Sequence, residues 1–135
     1  MALVKAEYKN GENVILFTAG GKVFKNSKER AADQADQGFL SGELLLIALG
    51  NCMLGTLLNH SLLKEFPPEA VTVALESQDT TAPRRYVHIS AKVQIKASAL
   101  EKSRQSALGR VADKCTVGNT LKEGLQLDVE LELVK

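Results

Sequence analysis

The sequence has little net charge, few cysteines and few histidines. Over 135 residues, 17 lysines and arginines face 16 aspartates and glutamates, so the formal net charge is +1. That balance gives no electrostatic reason to expect nucleic acid or an acidic membrane surface as a partner. The two cysteines and two histidines lack the paired spacing of zinc ligands. We therefore expect no metal, no bound cofactor, no nucleic acid and no membrane partner.

The N-terminus also lacks a basic leader followed by an apolar core and a cleavage site, which predicts a cytoplasmic protein. One apolar run, residues 44–58, is long enough to suggest a membrane span. It contains Asn51, is followed by Asn59 and His60, and has no aromatic belt. These features favour a core helix over a membrane span.

Alternating apolar and polar residues predict a set of strands joined mainly as hairpins. Asn10-Gly11 is typical of a hairpin turn, and residues 26–40 are polar and predict a loop. The predicted strands are 2–9, 14–19, 20–24, 70–78, 85–97 and 125–135. The result is a mostly antiparallel sheet.

Two longer helices interrupt the strands. Ser41 is a candidate N-cap for a helix over about 41–66 that stops before Pro67-Pro68, and Ser98 for an amphipathic helix over about 98–114. A short helical turn follows Cys115 and ends at Gly124. The order of elements predicts an α+β fold in a single domain, 1–135.

The first of these helices, about 41–66, is apolar around its whole circumference and must be covered on all sides. The sheet of one small chain can cover one side, so we expect a homodimer that buries two such helices together. Gly50 and Gly55 weaken the helix, which indicates that a packed helix or a small substrate approaches its backbone.

The two cysteines have different predicted settings. Cys52 lies mid-helix among apolar residues, whereas Cys115 precedes a turn whose free backbone N–H groups can face its sulfur. Two unrelated buried thiols remain an alternative from their number alone. His60 and His88 are single histidines, which are more often structural than catalytic.

Two stretches resemble the cysteine signatures of the OsmC/Ohr superfamily, the osmotically inducible and organic hydroperoxide resistance proteins. They are "SGELLLIALGNCMLGTL", residues 41–57, and "ADKCTVGNTLKEGLQLDVELEL", residues 112–133. Their order is also that of the family. The resemblance implies an OsmC-like fold in an intertwined homodimer, with two active sites at the interface.

The resemblance further implies a peroxidase mechanism. Cys52 would attack an organic hydroperoxide, Cys115 would resolve it as a Cys52–Cys115 disulfide, and an external dithiol would reduce the disulfide. In the peroxidases an N-terminal arginine and a glutamate at the start of the long helix poise the thiolate. This chain has no arginine before Arg30, and its nearest glutamate, Glu43, lies one place after the family's position, Gly42.

The alternative belongs to another class of function. The apolar helix beside Gly50 and Gly55 could line a cleft that binds a small hydrophobic ligand, with both thiols passive. A dimeric domain that has lost its activity is a further possibility, because the family's arginine is missing.

Overall fold

The computed structural model describes residues 2–134. Within that range it contains two antiparallel sheets and five helices. The chain divides into two compact units, one up to Leu45 and one from Leu46 onwards. The α+β class and the antiparallel pairing predicted from the sequence are confirmed.

The first unit contains a meander of three strands, β1 (Lys5–Glu7), β2 (Val14–Ala19) and β3 (Lys22–Ser27), in that spatial order. Phe17 lies opposite Phe24 across β2 and β3, and the two ring centroids are 5.9 Å apart. The β2–β3 turn uses Gly20 and Gly21, both with positive φ, a conformation that suits glycine.

A loop leads from β3 to the first helix and is held by the buried side chain of Asn26. Its amide donates to the carbonyl of Phe39 at 3.0 Å, and its side-chain oxygen accepts from the N–H of Phe39 at 2.8 Å. Arg30 forms an isolated parallel bridge with Gly38. The loop predicted for residues 26–40 therefore starts after Ser27, and its end is fixed by this buried amide.

The second unit contains a long hairpin, β4 (Ala70–Thr81) and β5 (Arg84–Lys96), paired antiparallel. Its odd-numbered residues alternate inward along β4, so that Val73 pairs with Val93 and Leu75 with Ala91. The larger core cluster of the unit comprises Leu57, Leu63, Ala97, Leu100, Leu108 and Ala112.

The long helix is shorter than the sequence predicted. Helix α1 spans Ser41–Leu58, and a separate helix α2 spans Ser61–Glu65. The helix is interrupted because His60 has an extended backbone conformation. Its side-chain Nδ1 accepts from the N–H of Leu62 at 3.2 Å, which caps α2. The prediction of one helix over 41–66 is thus corrected to two.

Helix α1 is also less buried within one chain than predicted. Four of its 18 residues are buried, Leu49, Gly50, Met53 and Leu57. By length and composition α1 could cross a membrane, but core helices of water-soluble proteins pass the same test. Two large apolar side chains of α1, Ile47 and Leu58, are 47% and 49% exposed.

The helix predicted over 98–114 is two short helices, α3 (Lys102–Gln105) and α4 (Leu108–Asp113). Ser98 does not cap it. The hydroxyl and the N–H of Ser98 both donate to the carboxylate of Glu69, which ties the end of β5 to the start of β4. This competing acceptor explains why the helix begins later.

The final helix, α5, spans Thr116–Glu123 and ends at Gly124, as predicted. After it, residues 125–134 form no strand, so the predicted strand over 125–135 is wrong for the described part of one chain, and Lys135 lies outside it. The apolar side chains of this C-terminal segment (125–134) are 70–88% exposed. Its alternating pattern is present, but the pairing partner is not.

The Glu69–Ser98 contact predicts a pH-dependent contribution to stability. Hydrogen bonds from the Ser98 hydroxyl and N–H hold the pKa of Glu69 below its ordinary value of 4.5. The charged form is favoured by the folded state, so the contribution is present above the unfolded pKa and disappears as pH falls through the folded pKa. Glu69→Gln should therefore be less stable than wild type at about pH 7, and the difference should be smaller at about pH 3.

Urea unfolding at both pH values measures the difference. Glu65→Gln is the matched control, since that carboxylate on α2 is exposed and does not bond Ser98. An equal loss from Glu69→Gln at both pH values would show that the carboxylate charge is not the cause.

Candidate functional site

Cys52 lies in the middle of α1, on the side that packs against the long hairpin. It is half-buried and joins a small apolar cluster that also contains Leu49, Met53, Val73, Leu75, Ile89, Val117 and Cys115. Helix and hairpin come close here because of Gly50, where a Cβ atom would lie 2.9 Å from Cδ1 of Leu75. The close approach expected at Gly50 is confirmed, and its source is a strand side chain.

Cys115 reaches the same cluster from the other end of the unit. It is the N-cap of α5 in extended backbone conformation, and its sulfur accepts from the N–H of Gly118 at 3.4 Å. The residue is 1% exposed. The expectation that free N–H groups of the following turn face this sulfur is confirmed.

The same turn also contacts the other sulfur. The N–H of Val117 donates to Sγ of Cys52 at 3.4 Å, across 65 positions of sequence. Consecutive N–H groups in the first turn of α5 thus contact the two thiols, one each. The structure therefore brings Cys52 and Cys115 together, as the resemblance implied.

The electrostatics of the pair differ from those of two isolated thiols. Burial raises the pKa of the Cys115 thiol above its ordinary value of 9.0; the N–H of Gly118 lowers it in part, while hydrogen bonding and charge interaction with Cys52 raise it further. Near neutral pH, Cys115 is accordingly a protonated, enclosed thiol.

Glu43, the third predicted site residue, lies in the first turn of α1. Its Oε1 accepts from the N–H of Leu40 at 2.8 Å, which is the backbone half of a capping box. Arg30 is exposed and donates from Nη1 to Oγ of Ser41 at 3.3 Å. Because α1 begins at Ser41, Leu40 takes the N-cap position, and the prediction of Ser41 as the N-cap is corrected. The catalytic role of Glu43 stays a prediction beside this structural one.

The two histidines have separate positions. His60 caps α2 through its side chain, and His88 is exposed on β5. Among residues 2–134, no three side chains of His, Cys, Asp or Glu are grouped to hold a metal ion.

One feature of the site could not be found by sequence reasoning. The contact between the Val117 N–H and Cys52 is made by backbone, so no residue type marks it. The only signal was the "CTVG" turn, and its N–H groups were expected to face Cys115 alone.

An α+β fold that joins two free thiols at a helix terminus defines a class of small two-cysteine proteins. Comparison with known proteins identifies the family. The family model described as OsmC-like protein matches residues 34–130. The chain belongs to the OsmC-like protein family. A search of curated proteins returned no match.

Solved structures share this fold at low sequence identity. An OsmC-like protein of Mycoplasma pneumoniae is 16% identical, with a TM-score of 0.71, covering 90% of this chain and 87% of that one. An organic hydroperoxide resistance protein OsmC of Legionella pneumophila is 14% identical, with a TM-score of 0.61, covering 90% of this chain and 89% of that one. The organic hydroperoxide resistance protein OhrB of Bacillus subtilis is also 14% identical, with a TM-score of 0.60, covering 90% of both chains. The OsmC-like fold is thereby confirmed.

Proposed function

We propose that the protein is a thiol-dependent reductase of organic hydroperoxides that works through a Cys52–Cys115 disulfide. The observation that carries the proposal is the convergence of the two sulfurs on the first turn of α5, with bonds from Val117 and Gly118. Two passive core thiols have no need to share one helix terminus. The names of the Legionella and Bacillus proteins, which refer to organic hydroperoxide resistance, support the same substrate class.

The reaction begins at Cys52, because it is the more accessible of the two thiols. Its thiolate attacks the distal oxygen of the hydroperoxide, the O–O bond breaks, and the leaving alkoxide takes up a proton as the alcohol. Cys52 becomes a sulfenic acid. The sulfur is thereby oxidised and the peroxide is reduced.

Cys115 completes the oxidation. Its sulfur attacks the sulfenic sulfur of Cys52, a disulfide forms, and the hydroxyl leaves as water with the thiol proton. An external dithiol then reduces the disulfide by thiol exchange and is itself oxidised. The cycle uses no bound metal or cofactor, and cytoplasm is the compartment that supplies such a reductant.

The surroundings of Cys52 fit an apolar substrate. Leu49, Met53 and Val73 pack around the sulfurs, and an organic peroxide with a hydrocarbon group suits that lining better than hydrogen peroxide does. The alternative of a passive ligand-binding cleft loses its place beside Gly50, which Leu75 fills. At Gly55 the space remains open.

Substitution of each cysteine tests the mechanism. Cys52→Ser should reduce consumption of cumene hydroperoxide to the uncatalysed rate, because the attacking sulfur is lost. Cys115→Ser should still react once and then accumulate a sulfenic acid on Cys52, visible as a gain of one oxygen atom in the intact mass. Turnover is measured with dithiothreitol as the reductant, and the sulfenic acid of Cys115→Ser is measured with one equivalent of peroxide and no dithiol.

Met53→Leu is the matched control, because it keeps the volume of the cluster and removes a different sulfur. It should retain turnover. Equal peroxide consumption by wild type and both cysteine variants would contradict the proposal.

We further propose that the protein acts as a homodimer in which the C-terminal segment pairs with a second copy. Its residues Leu127, Val129, Leu131 and Leu133 are 80–88% exposed, at every second position. A strand with this pattern is stable only with a sheet edge beside it and an apolar surface beneath one face. The apolar surface that one chain leaves exposed on α1 gives a second reason for a partner copy.

The dimer is tested with charge on the apolar side of the segment. Val129→Glu with Leu131→Glu should weaken self-association by about a hundredfold or more, since charges would enter an apolar contact. Glu130→Gln with Glu132→Gln changes the polar side by the same number of residues and should leave the dimer intact. Sedimentation velocity gives both results; a monomeric wild type at micromolar concentration would contradict the proposal.

A further inference from the structure

The first turn of α5 presents its free backbone N–H groups to the two sulfurs in order. Val117 donates to Cys52 and Gly118 to Cys115, each at 3.4 Å. The N–H groups of a first helical turn have no partners within their own helix, so both are available to a sulfur without loss of helical bonds. Their dipoles point in the direction that stabilises negative charge.

No side-chain cation replaces these donors on the elements that pack around the sulfurs in the second unit. The inward side chains of β4 and β5 at the cluster are Val73, Leu75 and Ile89. Glu76 on β4 and Lys92 on β5 lie on the opposite face of the hairpin, and both are exposed. The other titratable group that acts on Cys115 is Cys52 itself.

The charges at the two ends of α4 and α5 are accounted for as well. On α5, Lys122 is paired with Asp113 at 2.8 Å and also donates to the Asp113 carbonyl. Arg104, on α3, lies 5.5 Å from the ring of Phe66. Lys114, which ends α4 and precedes Cys115, is exposed, as are Arg110 on α4 and Glu123 on α5.

The turn is also shaped to hold the Cys115 sulfur. A Cβ atom on Gly118 would lie 3.1 Å from Sγ of Cys115 and 3.8 Å from Cδ1 of Leu49. A side chain there would push the sulfur away from its donor. Glycine at this helical position thus allows a close approach, and any Cβ atom would require the Cys115 sulfur to shift by a few tenths of an ångström.

We infer that each of these N–H groups serves a different step of the peroxide reaction. The Val117 N–H stabilises the Cys52 thiolate that attacks the peroxide, and the Gly118 N–H stabilises the Cys115 sulfur that then closes the disulfide. Within the second unit, the partial positive charge beside the Cys52 sulfur therefore comes from a backbone N–H of α5 and not from a charged side chain. The inference rests on the proposed function and adds to it the groups that stabilise each sulfur. Each N–H touches a reacting sulfur, and the absence of a Cβ atom at Gly118 also positions the sulfur of Cys115.

Semisynthesis can remove each donor separately. Cys115 permits native ligation between a thioester of residues 1–114 and a synthetic peptide of residues 115–135. In two variants of the peptide, an ester bond replaces the N–H of Val117 or that of Gly118 by oxygen. No side chain of the peptide changes. The control ester is at Thr116, whose N–H donates to neither sulfur in the described chain, and an all-amide ligated chain checks refolding.

Loss of the Val117 N–H should slow the reaction of Cys52 with cumene hydroperoxide at neutral pH by about tenfold, because a bond to a charged sulfur is lost. The Gly118 ester should instead slow the disappearance of the Cys52 sulfenic acid severalfold, with a smaller effect on its formation. The Thr116 ester should match the all-amide chain in both steps.

Gly118→Ala provides a genetic version of the second test. Alanine favours helix, so the substitution does not weaken α5 by propensity. The added methyl should displace the Cys115 sulfur and slow disulfide closure. Closure as fast as in wild type would contradict the positioning role of Gly118.

A second probe separates this inference from the proposed function. Iodoacetamide alkylation of Cys52, followed by peptide mass mapping, reports thiolate reactivity without any peroxide. Slower alkylation of the Val117 ester supports the inference even if no chain consumes peroxide. Equal alkylation rates and equal rates of reaction with peroxide for the Val117 ester and the Thr116 control, with peroxide still consumed, would overturn the inference and leave the function standing.

Discussion

The bond from the Val117 N–H to the Cys52 sulfur is the interaction on which the arrangement of the site depends. It joins α1 to α5 across 65 positions of sequence, and it places the N-cap of α5, Cys115, within reach of Cys52. The close packing at Gly50 and Gly118 serves the same junction, since a Cβ at either glycine would separate its neighbours. Fold and site are thus specified by one contact region.

The environment of the pair combines two opposing effects. Apolar packing around Leu49 and Met53 disfavours charge, and burial raises the pKa of Cys115. Backbone N–H groups favour charge at the same sulfurs. The proposed oxidation in two ordered steps, the first at Cys52, calls for an uncharged Cys115 beside a more accessible Cys52, which is the arrangement found.

The sequence predicted what depends on pattern and local chemistry. The alternation of apolar and polar residues predicted the hairpins, and Gly124 predicted the end of α5. The two signatures predicted that Cys52 and Cys115 lie together. It failed where a side-chain hydrogen bond that the hydrophobic pattern does not reveal changed a local preference. Glu69 takes the donors of Ser98 and delays the helix after β5, and the His60 side chain starts a new helix where a continuous one was expected.

The C-terminal segment shows the same limit differently. Its alternation is typical of a strand, yet a strand requires a neighbour, and one chain offers none to residues 125–134. The Val117 contact was missing from the prediction because backbone donors leave no mark in the sequence. Glu43 was expected near the chemistry and is found bonded to the Leu40 N–H at the start of α1.

The intact mass of the fully reduced protein, before and after one equivalent of cumene hydroperoxide, tests the central claim that the two thiols form a working pair. The account predicts the rapid loss of two hydrogen atoms and of both free thiols, with peptide mapping that links Cys52 to Cys115. An unchanged mass with both thiols still free would contradict it.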